Sequence, residues 1–130
     1  MGYTRYWDRT EKPITETFVK KVKEIIKDSE SKGIHIGDGG GMGEPIVTTK
    51  HILFNGDASK RLDHETCFFN NSENERGFNF CKTARKPYDY TVREVLKVAE
   101  AEGLITNVSS DGENEEIISD DEAVEKGYAC

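Results

Sequence analysis

The sequence has little cysteine, and its three cysteines follow no metal-binding or disulfide pattern. Cys67, Cys81 and Cys130 make an odd number, and neither a CxxC nor a Cys/His spacing is present. The three histidines are also scattered along the chain, without an HxH or HxxxH pair. A disulfide framework and a structural zinc site are therefore not expected. We expect Cys67 and Cys81 to be buried thiols, and we expect no metal and no cofactor.

Long hydrophobic runs are also missing. No apolar stretch approaches the ~20 residues that a membrane-spanning helix needs. The first ten residues, MGYTRYWDRT, lack the apolar segment of a signal peptide. We therefore expect a soluble, cytoplasmic protein with no membrane partner. With 130 residues, of which 35% are hydrophobic, the chain is long enough for one compact domain.

The formal net charge of −7 is unevenly distributed. Residues 111–126 hold eight acids and one lysine, whereas acids and bases balance in the remainder of the chain. This division predicts a compact domain over residues 1–112 followed by an acidic segment over residues 113–130. Duplex nucleic acid is not an expected partner, because nonspecific phosphate binding needs a broad basic face. The sequence leaves homo-oligomerisation open.

Hydrophobic periodicity predicts alternating strands and helices. Strands are expected over residues 2–8, 46–49, 51–54, 64–70, 77–83 and 104–108. One helix begins after Thr15 as N-cap and ends at Gly33, and a second begins at a Thr91–Glu94 capping box and ends at Gly103. A third, acidic helix is expected over residues 113–126. Asn55-Gly56 predicts a tight turn, and the polar NSENER segment predicts a loop.

The order β-α-β-β-β-β-α-β-α indicates an α+β domain. We expect a mostly antiparallel sheet that carries the two main helices on one face and is followed by the short acidic C-terminal helix. The other face or the edge of the sheet would remain available for a ligand.

The segment FCKTARKPYDY, residues 80–90, concentrates cations and tyrosines between a strand and a helix. A helix N-terminus favours anions, and Lys82, Arg85 and Lys86 would convert that preference into a phosphate or carboxylate site. Tyr88 and Tyr90 could stack a base or a ring beside the anion. The alternative is a solvated basic turn that pairs with Glu65, Asp89 or the acidic segment.

The glycine-rich segment GDGGGMGEP, residues 37–45, is not a phosphate loop. It has neither the GxxxxGK[ST] nor the GxGxxG pattern, and its only charges are acidic. The glycines instead indicate a tight backbone path, with Glu44 available to bind a hydroxyl or an amide of a ligand. A plain flexible loop is the alternative.

Three further residues are candidates for binding. His64 could act in acid–base chemistry, although neighbouring Glu65 would point to the opposite face of a strand. Asp111 follows a strand in the segment SSDG and could place a carboxylate at its end, or belong to an ordinary turn. Trp7 could form a stacking wall, but a single tryptophan in an amphipathic strand is usually part of the core.

Several short motifs together resemble a known family. MGYTRYW, GMGEP, FNG, HET followed by FF, FCKTARKPYD and SSDG resemble a family of small uncharacterised proteins found in bacteriophages, prophages and bacteria. The resemblance covers residues 1 to about 112, and FCKTARKPYD is its most specific part. Arg5 departs from the histidine that is frequent at this position of the family. The resemblance implies no established activity.

The phage context of this family suggests a counter-defence role. We expect a binding protein that sequesters a small, nucleotide-like anionic signal. Lys82, Arg85 and Lys86 would hold phosphate, Tyr88 and Trp7 would stack a base, and Glu44 and Asp111 would meet the base or ribose. Two alternatives remain. One is a small phosphoester or nucleotide hydrolase with His64 and Asp111 as acid and base, and the other is an inhibitor that binds a protein through the acidic segment.

Overall fold

A computed structural model describes residues 2–71, 76–114 and 116–128 of the chain. The strands are β1 (Thr4–Arg9), β2 (Ile46–Val47), β3 (His51–Phe54), β4 (Cys67–Asn70), β5 (Gly77–Lys82) and β6 (Ile105–Ser110). The helices are α1 (Glu16–Ser31), α2 (Asp89–Ala101) and α3 (Asp120–Glu125), and a 3₁₀ turn spans Ala58–Lys60. The predicted α+β class and the order of the elements are confirmed.

The strands form two antiparallel three-stranded sheets, whereas the sequence predicted one sheet. One sheet has the order β5-β1-β6 and the other the order β2-β3-β4. Strands β4 and β5 therefore belong to different sheets although they follow each other in the chain. Trp7 of the first sheet stacks on Phe69 of the second, with ring centroids 5.6 Å apart. The core lies where these inner faces meet, and a single flat sheet would not bury both rings.

Strand β1 lies in the centre of its sheet and alternates as the sequence predicts. Tyr3, Arg5, Trp7 and Arg9 are buried, while the intervening Tyr6 is only half-buried. Two of the four inward residues are arginines, and each is only 6% exposed. A buried arginine is destabilising unless its charge is compensated. The contacts of Arg5 and Arg9 therefore show how each charge is accommodated.

The first helix begins and ends as predicted. The Oγ1 atom of Thr15 accepts the N–H of Phe18 at 3.1 Å, and Gly33 follows the helix with φ of +78°, a conformation that favours glycine. Helix α1 packs against α2, and α2 packs against β6.

The predicted start of α2 is wrong by three residues, since the N-cap is Tyr88 and not Thr91. The helix begins at Asp89, and Thr91 lies in its first turn instead of forming the cap. The hydroxyl of Thr91 lies 2.6 Å from that of Ser29 in α1, and both residues are fully buried. The threonine therefore joins two helices, and no side chain caps α2.

The predicted Asn55-Gly56 hairpin turn is also wrong. The Oδ1 atom of Asn55 accepts the N–H of Gly56 at 2.8 Å and that of His64 at 3.0 Å, so it organises a longer connection between β3 and β4. Gly56 is required there because a Cβ would lie 2.1 Å from the carbonyl oxygen of Leu62. Strand β4 consequently begins at Cys67 and not at His64. Most of the predicted NSENER loop, residues 72–75, and Cys130 lie outside the described residues.

The acidic C-terminal segment packs on the remainder of the protein. Its helix, α3, is much shorter than the predicted 113–126 and begins at a Ser119–Glu122 capping box. Ile118 and Ala123 pack in a small apolar cluster with Leu62. The buried carboxylate of Asp120 accepts the backbone N–H of His35 at 3.0 Å, and burial raises the pKa of this carboxyl. None of the described helices is both long and apolar enough to cross a bilayer.

Candidate functional site

A tight turn connects β5 to α2 and positions Arg85. The N–H of Lys86 donates to the carbonyl oxygen of Thr83 at 3.0 Å, and the two central residues, Ala84 and Arg85, have φ of +54° and +58°. Positive φ at both central positions defines a type I′ turn, which favours Asn and Gly. Ala and Arg adopt this conformation at an energetic cost, and such strain is found frequently at functional sites.

The turn places the guanidinium of Arg85 on the ring of Tyr3, 3.9 Å from its centroid. The guanidinium of Arg5 lies 5.3 Å from the same ring. The Nη1 atom of Arg85 also donates to the carbonyl oxygen of Glu113 at 3.2 Å. The hydroxyl of Tyr3 donates to the carbonyl oxygen of Gly112 at 3.1 Å. Tyr3 thus connects two arginines to the start of the acidic segment.

Arg5 forms the principal ion pair of the site. Its Nε and Nη2 atoms donate to the two carboxylate oxygens of Asp89, each at 2.8 Å. The hydroxyl of Thr83 donates to the same carboxylate at 2.7 Å, and Nη2 of Arg5 also reaches Oδ1 of Asn114 at 2.8 Å. Burial opposes the charge of Arg5, but Asp89 outweighs it and the pKa of Arg5 is raised. This two-point pair fixes the start of β1 to the start of α2.

A cleft opens beside this pair, between the turn, the start of α2 and the acidic segment. Its volume is about 40 Å³. Its charged lining residues are the cations Arg5, Arg85, Lys86 and Arg93 and the acids Asp89 and Glu116, and Pro87, Tyr90, Ile117 and Ile118 complete it. The guanidinium of Arg93 lies 5.0 Å from the centroid of the Tyr90 ring. The cationic side chains therefore outnumber the acidic ones at this cleft by two.

The N-terminus of α2 contributes less to anion binding than the sequence suggested. The N–H groups of Asp89 and Tyr90 donate to the carbonyl oxygens of Lys86 and Pro87, at 2.9 and 3.1 Å. The carboxylate of Asp89 also supplies a negative charge at the positive end of the helix dipole. An anion in the cleft would therefore have to be held by side chains.

The three predicted cations of FCKTARKPYDY do not all lie at the cleft. Lys82 is exposed on the outer face of β5, with its Nζ 5.8 Å from the centroid of the Phe80 ring. Lys86 is only 6% exposed, and its Nζ donates to the carbonyl oxygen of Arg61 at 2.8 Å. Of the three, Arg85 and Lys86 line the cleft and Lys82 does not.

Two of the three aromatic residues predicted to stack a base lie in the core. Trp7 is 2% exposed and Tyr88 is fully buried. The hydroxyl of Tyr88 donates to the carbonyl oxygen of Glu65, and burial beside Cys81 and Cys67 raises the pKa of this phenol. Both cysteines are themselves buried and free, as the sequence predicts. Tyr90 is the half-buried aromatic residue of the cleft.

The remaining predicted residues lie elsewhere. Glu44 is exposed. His64 is exposed at the side chain, and its backbone is held by Asn55. The carboxylate of Asp111 accepts the hydroxyl of Tyr6 at 2.6 Å and the N–H of Thr4 at 3.0 Å. Within the described ranges no hydrogen bond or ion pair joins His64 to Asp111, and neither residue lines the cleft.

The glycine-rich segment is a packed loop built around Asp38. The Oδ1 atom of Asp38 accepts the N–H groups of Gly40 and Met42 at 2.9 and 3.1 Å, and these bonds lower the pKa of the carboxyl. A Cβ on Gly41 would lie 2.6 Å from the carbonyl oxygen of Gly56. Close backbone packing thus explains Gly41, and likewise Gly37, where a Cβ would lie 2.7 Å from the backbone of Gly41.

Sequence reasoning missed Arg5 and Arg93 as ligand candidates, whereas it named Tyr90 as a residue that could stack on a ligand. Alternation along β1 already placed Arg5 on the buried face with Tyr3, so an arginine there needed an acidic partner. Arg93 lies four residues after Asp89, a spacing that places both on one face of α2. Comparisons with protein-family models, with curated proteins and with solved structures find no match to the chain.

Proposed function

We propose that this protein is a small binding protein that holds an anionic group of a nucleotide-like ligand in the cleft between the Thr83–Lys86 turn and α2. The observation that carries the proposal is the convergence of Arg5, Arg85 and Arg93 on one cleft. Arginine presents a planar fork of donors that suits phosphate and carboxylate. Asp89 engages one of these arginines and orients it.

The size of the cleft limits which part of a ligand it can hold. A volume of about 40 Å³ accommodates one small group, whereas pockets that enclose a whole drug-sized ligand measure roughly 300–1,000 Å³. A second depression of about 130 Å³ shares Arg85, Glu116 and Ile118 with the cleft and includes Lys126 and Tyr128. The anionic group would occupy the cleft, and the remainder of the ligand would extend over this depression.

The biological role in the proposal is sequestration of a nucleotide signal during phage counter-defence. This part is supported by the family resemblance of residues 1–112 and by the chemistry of the cleft. The carboxylate of Asp89 is held by Arg5 and Thr83, so it is not poised to remove a proton from a ligand. Binding without turnover is therefore favoured over hydrolysis.

The test is recovery of a ligand from the purified protein. The full chain is incubated with a nucleotide library and with bacterial extract, washed and denatured, and the released compounds are identified by mass spectrometry. We expect one anionic compound to be retained and released unchanged. The double variant Arg85→Ala/Arg93→Ala should lose it, and Lys82→Ala, which removes a cation outside the cleft, should retain it.

Three results would contradict the proposal. Release of no compound, or equal retention by the Arg85→Ala/Arg93→Ala variant, would exclude binding at this cleft. Release of a converted product would indicate the hydrolase alternative. A protein-docking function would instead depend on exposed acids such as Asp121 and Glu125. If the protein binds a ligand in the cleft, the variant Asp121→Asn/Glu125→Gln should leave ligand recovery unchanged.

A further inference from the structure

Arg9 is a buried arginine that forms no ion pair with an acid in the part of the chain that the structure describes. It lies on the same strand and the same inward face as Arg5, and the two are equally buried. Arg5 forms an ion pair with Asp89, and the pKa of Arg5 is raised. The pKa of Arg9 is lowered, by burial and by the nearby charge of Arg76, and no carboxylate of the described ranges forms an ion pair with Arg9. Buried charges are normally paired, so Arg9 indicates that a counter-charge comes from elsewhere.

Backbone carbonyl groups hold the Arg9 side chain in place but do not neutralise it. Its Nη1 donates to the carbonyl oxygens of Thr10, Lys12 and Leu104 at 2.8–3.1 Å. Its Nη2 makes only long contacts, 3.3 Å to the carbonyl of Asn70 and 3.5 Å to Oδ1 of Asn71. The buried Nε has no hydrogen-bond partner in the described part of the chain. The Nη1 atom of the guanidinium is thus well hydrogen-bonded, whereas Nη2 and Nε are not.

A cavity of about 80 Å³ lies beside Arg9. Its lining includes Arg76, Asn70 and Asn71 and the chain segment from Thr10 to Pro13. Among the described residues the one acid that lines it is Glu11, whose side chain is 87% exposed and approaches Arg76 only to 3.7 Å. The ammonium of Lys12 is directed elsewhere and donates to the carbonyl of Glu102 at 2.8 Å. Arg9 and Arg76 are therefore the two guanidinium groups at this cavity.

We propose that this cavity binds a small oxyanion between Arg9 and Arg76. Its volume suits a group of roughly five heavy atoms if each water-sized atom takes about 15 Å³ on the same measure. Free phosphate or sulfate has that size, as does the terminal phosphate of a larger molecule. The anion would supply the counter-charge that Arg9 lacks and would replace repulsion between two cations with charge-assisted hydrogen bonds. This cavity has no lining residue in common with the cleft at Arg85.

The proposal is tested on the full chain with inorganic phosphate as the probe. Isothermal titration calorimetry gives the Kd, with sodium chloride added to keep ionic strength constant. Nitrogen-15 NMR follows the Nε–H signal of Arg9, which burial protects from exchange. We expect this signal to shift on titration. We expect Arg76→Gln to weaken binding at this signal about tenfold or more, because the variant loses a charge-assisted hydrogen bond to the anion.

The controls separate this cavity from the proposed ligand cleft. Arg93→Gln changes the same residue type at the cleft and should leave the phosphate-induced shift of the Arg9 signal unchanged. Arg76 has a side chain that is 39% exposed, so Arg76→Gln tests the cavity without the folding risk of replacing Arg9. An unmoved Arg9 signal, or an Arg76→Gln protein that binds phosphate at this signal as tightly as the original, overturns the proposal. A free-phosphate site and a terminal-phosphate site are distinguished by repeating the titration with a phosphomonoester.

Discussion

The pair of Arg5 and Asp89 is the residue contact on which the cleft depends most directly. Their side chains are only 7% and 16% exposed, and removing one member of such a pair leaves the other charge uncompensated. We expect Asp89→Asn to lower the free energy of unfolding by about 3 kcal/mol, as measured by urea denaturation. The ion pair of Glu94 with the exposed Lys97 supplies the control, because Lys97→Gln should cost less than about 0.5 kcal/mol. Similar losses in both variants would show that the buried pair has no special role.

The hydrogen bond from Tyr90 to Asp28 links α2 to α1 and makes stability depend on pH. The hydroxyl lies 2.6 Å from Oδ2 of Asp28. This bond is the main cause of a lowered pKa of Asp28, with Lys32 second, and it raises the pKa of Tyr90 to about 12. A carboxyl with a lowered folded-state pKa stabilises the protein above its unfolded pKa of about 3.9, and that stabilisation is lost as the pH falls through the folded value.

We therefore expect Tyr90→Phe to destabilise the protein at pH 7 by more than it does at pH 3. The comparison is made from urea unfolding curves at the two pH values. Tyr128→Phe is the matched control, because the Tyr128 hydroxyl makes no hydrogen bond within the described ranges. The effect of this substitution on stability should therefore be the same at pH 7 and pH 3. An effect of Tyr90→Phe that is equal at pH 7 and pH 3 would contradict the assignment.

At the scale of elements, the Thr83–Lys86 turn is a connection under strain. Ala84 has φ of +54°. This conformation costs an L-residue roughly 1–2 kcal/mol, a cost that is absent for glycine. Glycine also loses more entropy on folding, by about 0.4–1 kcal/mol. We expect Ala84→Gly to raise the free energy of unfolding by about 0.5 kcal/mol while leaving Arg85 on Tyr3.

The same chemical change inside a helix provides the control for this prediction. Ala99 is buried within α2, and Ala99→Gly should lower the free energy of unfolding by at least about 1 kcal/mol. Opposite signs for the two substitutions in thermal or urea unfolding would support a left-handed Ala84. A destabilising Ala84→Gly would show that the turn does not carry this strain.

Elements whose ends are set by local contacts could be predicted from the sequence. Thr15 and Gly33 bound α1 as expected because a cap and a left-handed glycine act within a few residues. Thr91 was misassigned because its hydroxyl bonds to Ser29, which lies 62 positions away in sequence. The division into two sheets was likewise not predictable, since it depends on how distant inner faces pack against each other.

The site was predictable only in part for the same reason. The sequence placed a cationic turn before α2, and Arg85 and Lys86 do line a cleft there. It could not show that Lys86 is bound by the carbonyl of Arg61, nor that Asp89 holds Arg5, because those partners meet only in the folded chain. Tyr88 and Tyr90 are two residues apart and differ in burial, which depends on the direction that each takes from the helix start.

At the scale of the whole molecule, the acidic segment and the cationic cleft are neighbours. Residues 112–114 contact Tyr3, Arg5 and Arg85, and Glu116, Ile117 and Ile118 line the cleft itself. The excess negative charge of the chain is therefore concentrated in a segment that borders the proposed ligand site. An anionic ligand would have to bind beside this segment, so its affinity should reflect the balance between the arginines and Glu116.

The contact between the two sheets determines whether the molecule unfolds as one unit. Phe69 of β4 stacks on Trp7 of β1 and meets Phe18 of α1 edge-on, with centroids 5.8 Å apart. We expect Phe69→Ala to lower the free energy of unfolding by about 3–5 kcal/mol. The matched control is Phe78→Ala on the outer face of β5, where the side chain is 67% exposed and the expected loss is below about 1 kcal/mol.

Trp7 fluorescence and far-UV circular dichroism should report the same urea midpoint in the unchanged protein, because Trp7 lies where the sheets meet. Separate midpoints would mean that the sheets unfold independently, and equal losses from the two phenylalanine substitutions would contradict the importance of the Phe69 contact.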